Sequence, residues 1–152
     1  MIAQPPIQFD RTTGLLQGAT PWERMAAVAL LGGAKVSSLF SHRGYNACAN
    51  LLRKALPERD IAVRLNDDAV FVFPYGDGYW SKLLDRSFVY ESELELLFRD
   101  AADVDYTLLD CGANYGYWSV LASSRPFGAH KAVAIEPSSA NFARLANNAK
   151  AN

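Results

Sequence analysis

The sequence predicts an α/β protein: a Rossmann-like fold that stops after its second β-α unit, preceded by a helical region and a small β-hairpin. Three observations carry this reading. Strand and helix patterns alternate from Tyr106 to Asn152, the arrangement that builds parallel sheets with crossover helices. A glycine-bearing turn, Asp110-Cys-Gly-Ala-Asn-Tyr-Gly116, lies where an apolar strand gives way to a helix, and a carboxylate, Glu136, closes the next apolar strand. The organisation therefore divides into an N-terminal region over 1–74 and the start of the Rossmann-like domain over 75–152.

Along the chain, residues 1–20 carry Pro5, Pro6, Gly14 and Gly18 without apolar periodicity and read as an irregular leader. Thr20 suits a helix N-cap and Pro21 the first helical position, so a helix is expected from Pro21 until Gly32-Gly33 stops it. A second amphipathic helix is expected over Tyr45–Leu56, with Ala49, Leu52 and Leu56 inward and Pro57 as terminator. Ile61–Leu65 and Ala69–Pro74 flank Asn66-Asp67-Asp68, the pattern of a hairpin. The loop Tyr75-Gly-Asp-Gly-Tyr-Trp80 is a candidate lid, although large aromatics more often pack on their own domain. A helix over Glu91–Ala102 precedes a buried strand Tyr106–Asp110, a helix Tyr117–Ser124, a strand Ala132–Glu136 and a helix Ser139–Ala151.

Composition bounds the function. With 152 residues, half of them apolar, and a formal net charge of −1, the chain has enough apolar material for a core and no basic excess for a nucleic-acid backbone. No apolar run approaches the length of a membrane span, and the N-terminus lacks a signal-peptide pattern, so a soluble, cytoplasmic protein is expected. Cys48 and Cys111 are far apart and form no metal-binding cluster; they read as small buried side chains in a reducing compartment. His42 and His130 sit in or beside turns and read as surface residues, leaving no catalytic base assigned.

The turn and the carboxylate are informative together. Ligands of open α/β sheets bind outside the carboxyl ends of the strands, where Gly112 and Gly116 let the chain turn sharply and bring main-chain atoms close to a ligand. Asp110 and Asn114 offer polar groups at the same place, and an acid roughly twenty residues beyond the glycines, at the neighbouring strand tip, is placed for ribose hydroxyls. A dinucleotide fingerprint, G-x-G-x-x-G, brings a helix N-terminus against a pyrophosphate. Here the spacing is Gly112-Ala-Asn-Tyr-Gly116 without the third glycine, which suits S-adenosylmethionine, a cofactor with no phosphate, better than NAD.

These residues resemble the FkbM-type methyltransferases, class I enzymes dependent on S-adenosylmethionine that mostly methylate oxygen. The resemblance rests on Leu109-Asp-Cys-Gly-Ala-Asn-Tyr-Gly-Tyr-Trp-Ser119, Ala134-Ile-Glu-Pro137, and Asn141-Phe-Ala-Arg-Leu-Ala-Asn147 with Asn152 following. Upstream, Asp77-Gly-Tyr-Trp80 and Tyr90-Glu91 are also similar, so it covers roughly Tyr75–Asn152. It implies a class I methyltransferase fold in which Asp110, Gly112, Ala113, Asn114 and Gly116 line the methionine and ribose side of S-adenosylmethionine, Glu136 holds the ribose hydroxyls, and Tyr79 and Glu91 close over the methionine end.

The family's third and fourth strands have no counterpart within these residues, so the chain is expected to be the N-terminal portion of such an enzyme, acting on a small-molecule, sugar (glycan) or lipid hydroxyl. Its second strand is expected to expose an unpaired edge and an apolar face, open to homo-oligomerisation. The alternatives are a truncated, non-catalytic cofactor-binding or partner-binding fragment and an NAD-dependent oxidoreductase.

Overall fold

The computed structural model describes residues 4–152, which form two compact units. The first comprises the residues up to Val63 together with Phe73–Phe88; the second comprises Arg64–Val72 and Val89–Asn152. Strands β1 (Ile7–Asp10), β2 (Leu16–Gln17), β3 (Asp60–Asn66) and β4 (Ala69–Pro74) make a four-stranded sheet in the order β2-β1-β3-β4. Strands β5 (Thr107–Cys111) and β6 (Lys131–Ile135) pair in parallel, Leu109 opposite Val133 and Cys111 opposite Ile135.

In the first unit the supposed leader is a hairpin. β1 and β2 pair antiparallel, with Phe9 opposite Leu16, across a turn in which the Asp10 carboxylate accepts from the amides of Thr12 and Thr13 and Gly14 takes φ +79°. The alternation Ile7-Gln-Phe9 ahead of an aspartate-to-glycine turn is a strand signal that a reading centred on prolines passes over. Helix α1 (Pro21–Ser38) starts with a complete capping box between Thr20 and Glu23 and runs through Gly32-Gly33. Two glycines cost a helix about 1 kcal/mol each. Burial of Leu30 and Ala34 on the same face offsets that cost, and the Tyr45 ring lies beside Gly33 at a distance that would admit a Cβ in ordinary contact. Helix α2 (Tyr45–Arg53) turns Tyr45 and Ala49 inward.

One buried ion pair anchors this unit. Glu23 is fully buried; its carboxylate accepts from the Thr20 amide at 2.7 Å and from Arg59 Nη1 at 3.1 Å, and the Arg59 Nε donates to the Pro5 carbonyl. The Tyr75 hydroxyl donates to the Glu23 carbonyl. Burial opposes ionisation of Glu23, but the bonds from Thr20 and Arg59 outweigh it and hold the carboxyl below its usual range.

In the second unit, α4 (Tyr117–Ala122) packs on β5, β6 and α5 (Ser139–Ala151), while α3 (Ser92–Asp100) contributes Phe98 to the Trp118 ring at 5.2 Å. Phe71, Tyr117, Leu121 and Phe127 are buried. Leu108, Asp110, Ala132 and Ala134 share the half-buried face of the two strands. The opposite face carries Leu109, Val133 and Ile135, each more than half exposed, so β5 is not the buried strand its composition predicts. Parallel strands are ordinarily covered on both faces. The predicted apolar face on the second strand is thus present, and Val133→Lys is expected to lower self-association, measured by light scattering across a concentration series.

Helix α5 protects the outer edge of β4. Asn148, fully buried, accepts from the Val72 amide at 2.8 Å and donates to the carbonyls of Val72 at 3.1 Å and Tyr115 at 2.9 Å. One turn later Asn152 accepts from the Val70 amide at 2.7 Å and donates to the Val70 carbonyl at 2.8 Å. Two side-chain amides, four residues apart on a helix, thus bond alternate residues of a strand as a neighbouring strand would. Asn148→Leu leaves three main-chain groups without a partner. It is expected to destabilise the protein by about 2–4 kcal/mol, read as a lowered urea midpoint.

Both cysteines are exposed, against expectation. Cys111 lies on the uncovered sheet face, and Cys48 is exposed on α2 at the flank of the buried Tyr45 and Ala49. Both histidines are half-buried rather than superficial. His42 Nδ1 lies 3.2 Å from Ser37 Oγ with its ring edge-on to Phe88, and burial, with nearby Lys82, lowers its pKa; the His130 ring lies on Tyr106 at 3.9 Å.

Candidate functional site

The site is built where the parallel pair ends. The chain leaves β5 through Gly112 at φ +79°, places Asn114 at φ +53°, and enters α4 through Gly116 at φ +84°. Three residues in five thus occupy the left-handed region, which the two glycines adopt without strain and asparagine tolerates better than most side chains. The turn is fixed to the neighbouring strand, because the amides of Gly112 and Ala113 both donate to the Ile135 carbonyl, at 2.8 and 3.0 Å. A Cβ on Gly112 would meet no atom within 4 Å, so the turn is open above the strand tips; one on Gly116 would touch Leu145.

Glu136 directly follows β6, and its carboxylate meets this turn. Oε2 accepts from the Asn114 amide at 2.8 Å, and Oε1 from the Ser138 amide, also at 2.8 Å. A carboxylate has about four acceptor positions, so roughly two remain, one on each oxygen. Two vacant acceptors side by side match the donors of a vicinal diol. Asp110, on β5, accepts from Ser119 Oγ through Oδ2 at 2.6 Å, which orients its carboxylate from the first turn of α4.

The structure brings Asp110, Gly112, Ala113, Asn114, Gly116 and Glu136 together at one end of the strand pair. Glu91 belongs to the same unit, immediately before α3, in the left-handed region at φ +48°; its carboxylate accepts from Trp118 Nε1 at 2.7 Å. Tyr79 belongs to the first unit, where its ring lies edge-on to Trp80 at 4.9 Å and beneath the Lys82 ammonium at 4.8 Å. The candidate lid is tied down there: Asp77 accepts from the amides of Tyr79 and Trp80, Gly78 donates to Asn50, and Trp80 is buried in the core.

Sequence reasoning missed Ser119 and Ser138, which orient the two acids, and Trp118, which holds Glu91. Ser138 was legible, because a serine after Glu-Pro and before a helix reads as an N-cap, and its side chain accepts from the Asn141 amide. Among the described residues no helix is long and apolar enough to cross a membrane, and no group of three or more His, Cys, Asp or Glu is placed to hold a metal ion.

No family model matches the chain, and no match is found among curated proteins or solved structures. The likeness to FkbM-type enzymes therefore rests on the motif residues themselves.

Proposed function

We propose that the chain carries residues of an S-adenosylmethionine site and belongs to a methyltransferase that methylates a hydroxyl of a small molecule, sugar or lipid. One observation carries the reading: the Glu136 carboxylate, held by the amides of Asn114 and Ser138, keeps one acceptor per oxygen beside an open glycine turn. That is the geometry a ribose diol needs. Asp110 and Asn114 would supply acceptors and donors toward the amino-acid end of the cofactor, and Gly112 the space for its approach.

Bound there, S-adenosylmethionine would supply an electrophilic methyl group on a sulfonium. The residues of this chain would bind and orient, which is the main task in a displacement whose nucleophile attacks in line. No residue here is assigned as the base that takes the acceptor's proton.

An acid at a second strand tip also serves nicotinamide dinucleotides, so an oxidoreductase is the competing reading. It is disfavoured by the Gly112-x-x-x-Gly116 spacing and by Asn114, whose amide is already committed to Glu136. Calorimetric titration with S-adenosylhomocysteine and with NAD decides between them. Binding of the thioether, strongly weakened by Glu136→Ala, is the expected result; binding of NAD in its place overturns the proposal.

A further inference from the structure

The first unit carries a second candidate site, independent of the strand tips. Between α1 and the β1–β2 hairpin runs an apolar groove of about 370 Å³, floored by Phe9 and Leu84 and walled by Leu15, Leu16, Val28 and Leu31. A second groove, of about 480 Å³, shares Leu31 and Leu84 with it and is lined by Arg11, Lys35 and Arg86 against a single acid, Asp85. The two shared leucines place the grooves side by side, the first mostly apolar and the second cationic.

Helix α1 sets this polarity. Residues 24, 28, 31 and 35 are spaced by four, three and four, so Arg24, Val28, Leu31 and Lys35 recur on one face over three turns, roughly 16 Å. Val28 is 71 % exposed and Leu15 53 %, so the apolar walls face solvent and are not consumed by the core. The cationic end is rigid: the Arg11 guanidinium donates to the carbonyls of Asp85, Arg86 and Phe88, and Arg86 to those of Arg11 and Thr12. Asp85 is buried and accepts from the Ser87 amide and hydroxyl through Oδ1, a single carboxylate against three cations. Arg24 borders the apolar end, where its methylene stem can line the wall while the guanidinium stays in water.

We propose that these adjoining grooves bind a single-chain amphiphile with an anionic head, the alkyl chain lying along Val28 and Leu16 and the head beside Lys35. The apolar volume falls at the lower end of ordinary ligand clefts. The excess of cations at one end selects an anionic head over a neutral one.

The test is calorimetric titration of the full chain with dodecyl phosphate below its micellar concentration, against dodecyl maltoside, inorganic phosphate and vesicles containing phosphatidylglycerol. One dodecyl phosphate is expected per chain, at least tenfold tighter than either the maltoside or phosphate alone. Val28→Asp and Lys35→Glu, both at exposed positions of α1, are each expected to weaken it at least fivefold with an unchanged circular dichroism spectrum. Equal affinity for the maltoside, wild-type affinity in both variants, or binding to vesicles without binding of the monomeric amphiphile would overturn the assignment. None of these outcomes depends on S-adenosylhomocysteine, so the two proposals fail separately.

Discussion

Glu136→Ala is expected to reduce affinity for S-adenosylhomocysteine by about 100-fold or more. A bond to a charged acceptor contributes about 1.5–3 kcal/mol, and a ribose diol would make two of them. The same substitution strips the Asn114 and Ser138 amides of their acceptor, so the free protein loses about 1–3 kcal/mol as well. Glu136→Gln separates the two effects. Its single carbonyl oxygen can satisfy only one of the two amides, and its NH₂ is a donor where a hydroxyl needs an acceptor. Binding should therefore fall with Gln almost as far as with Ala while stability falls less, a comparison made by calorimetry beside thermal denaturation.

Arg59→Met is expected to be the most destabilising single change in the first unit. It removes the one cation from a fully buried carboxylate, and breaking a buried pair from one side costs about 3–5 kcal/mol. For a chain of this size the melting temperature should fall by roughly 6–20 °C. The double variant Arg59→Met, Glu23→Gln is expected to recover part of the loss, because the uncompensated charge is gone. Acid should mimic the defect. With its folded pKa held below the ordinary value of 4.5, Glu23 contributes its full stabilisation above that pH and loses it as the pH falls through the lower folded value. Denaturation midpoints measured between pH 6 and pH 3 should decline in the wild type and stay flatter in Glu23→Gln.

Much of the second unit was legible because local signals agree there. Apolar pentads, glycines that need positive φ, and N-caps all point to the same strand-turn-helix order; the strand bounds shift by a residue, and α3 and α4 end two residues earlier than expected. Burial was not legible. Leu109, Val133 and Ile135 read as core because β-branched and leucine runs usually are, yet burial depends on what lies opposite, which a local pattern does not encode. The same holds for Cys111.

In the first unit, Gly32-Gly33 reads as a stop because glycine weakens isolated helices, whereas tertiary packing of Leu30 and Ala34 carries α1 through it. At the site, Asp110, Asn114 and Glu136 could be proposed from spacing alone. That Glu136 bonds the Asn114 amide directly, and that Ser119 and Ser138 aim the two acids, depends on distances between residues as many as 22 positions apart, which spacing does not encode.

The asparagine ladder on α5 also gives the hairpin a lock against misassembly. As long as Asn148 and Asn152 occupy the amides and carbonyls of Val70 and Val72, no foreign strand can zip onto that border, so recruitment into a cross-β stack must wait for the helix to peel away. Deuterium uptake at those two valines consequently clocks the undocking of α5, and the event that frees them is the one that opens a path to fibrils.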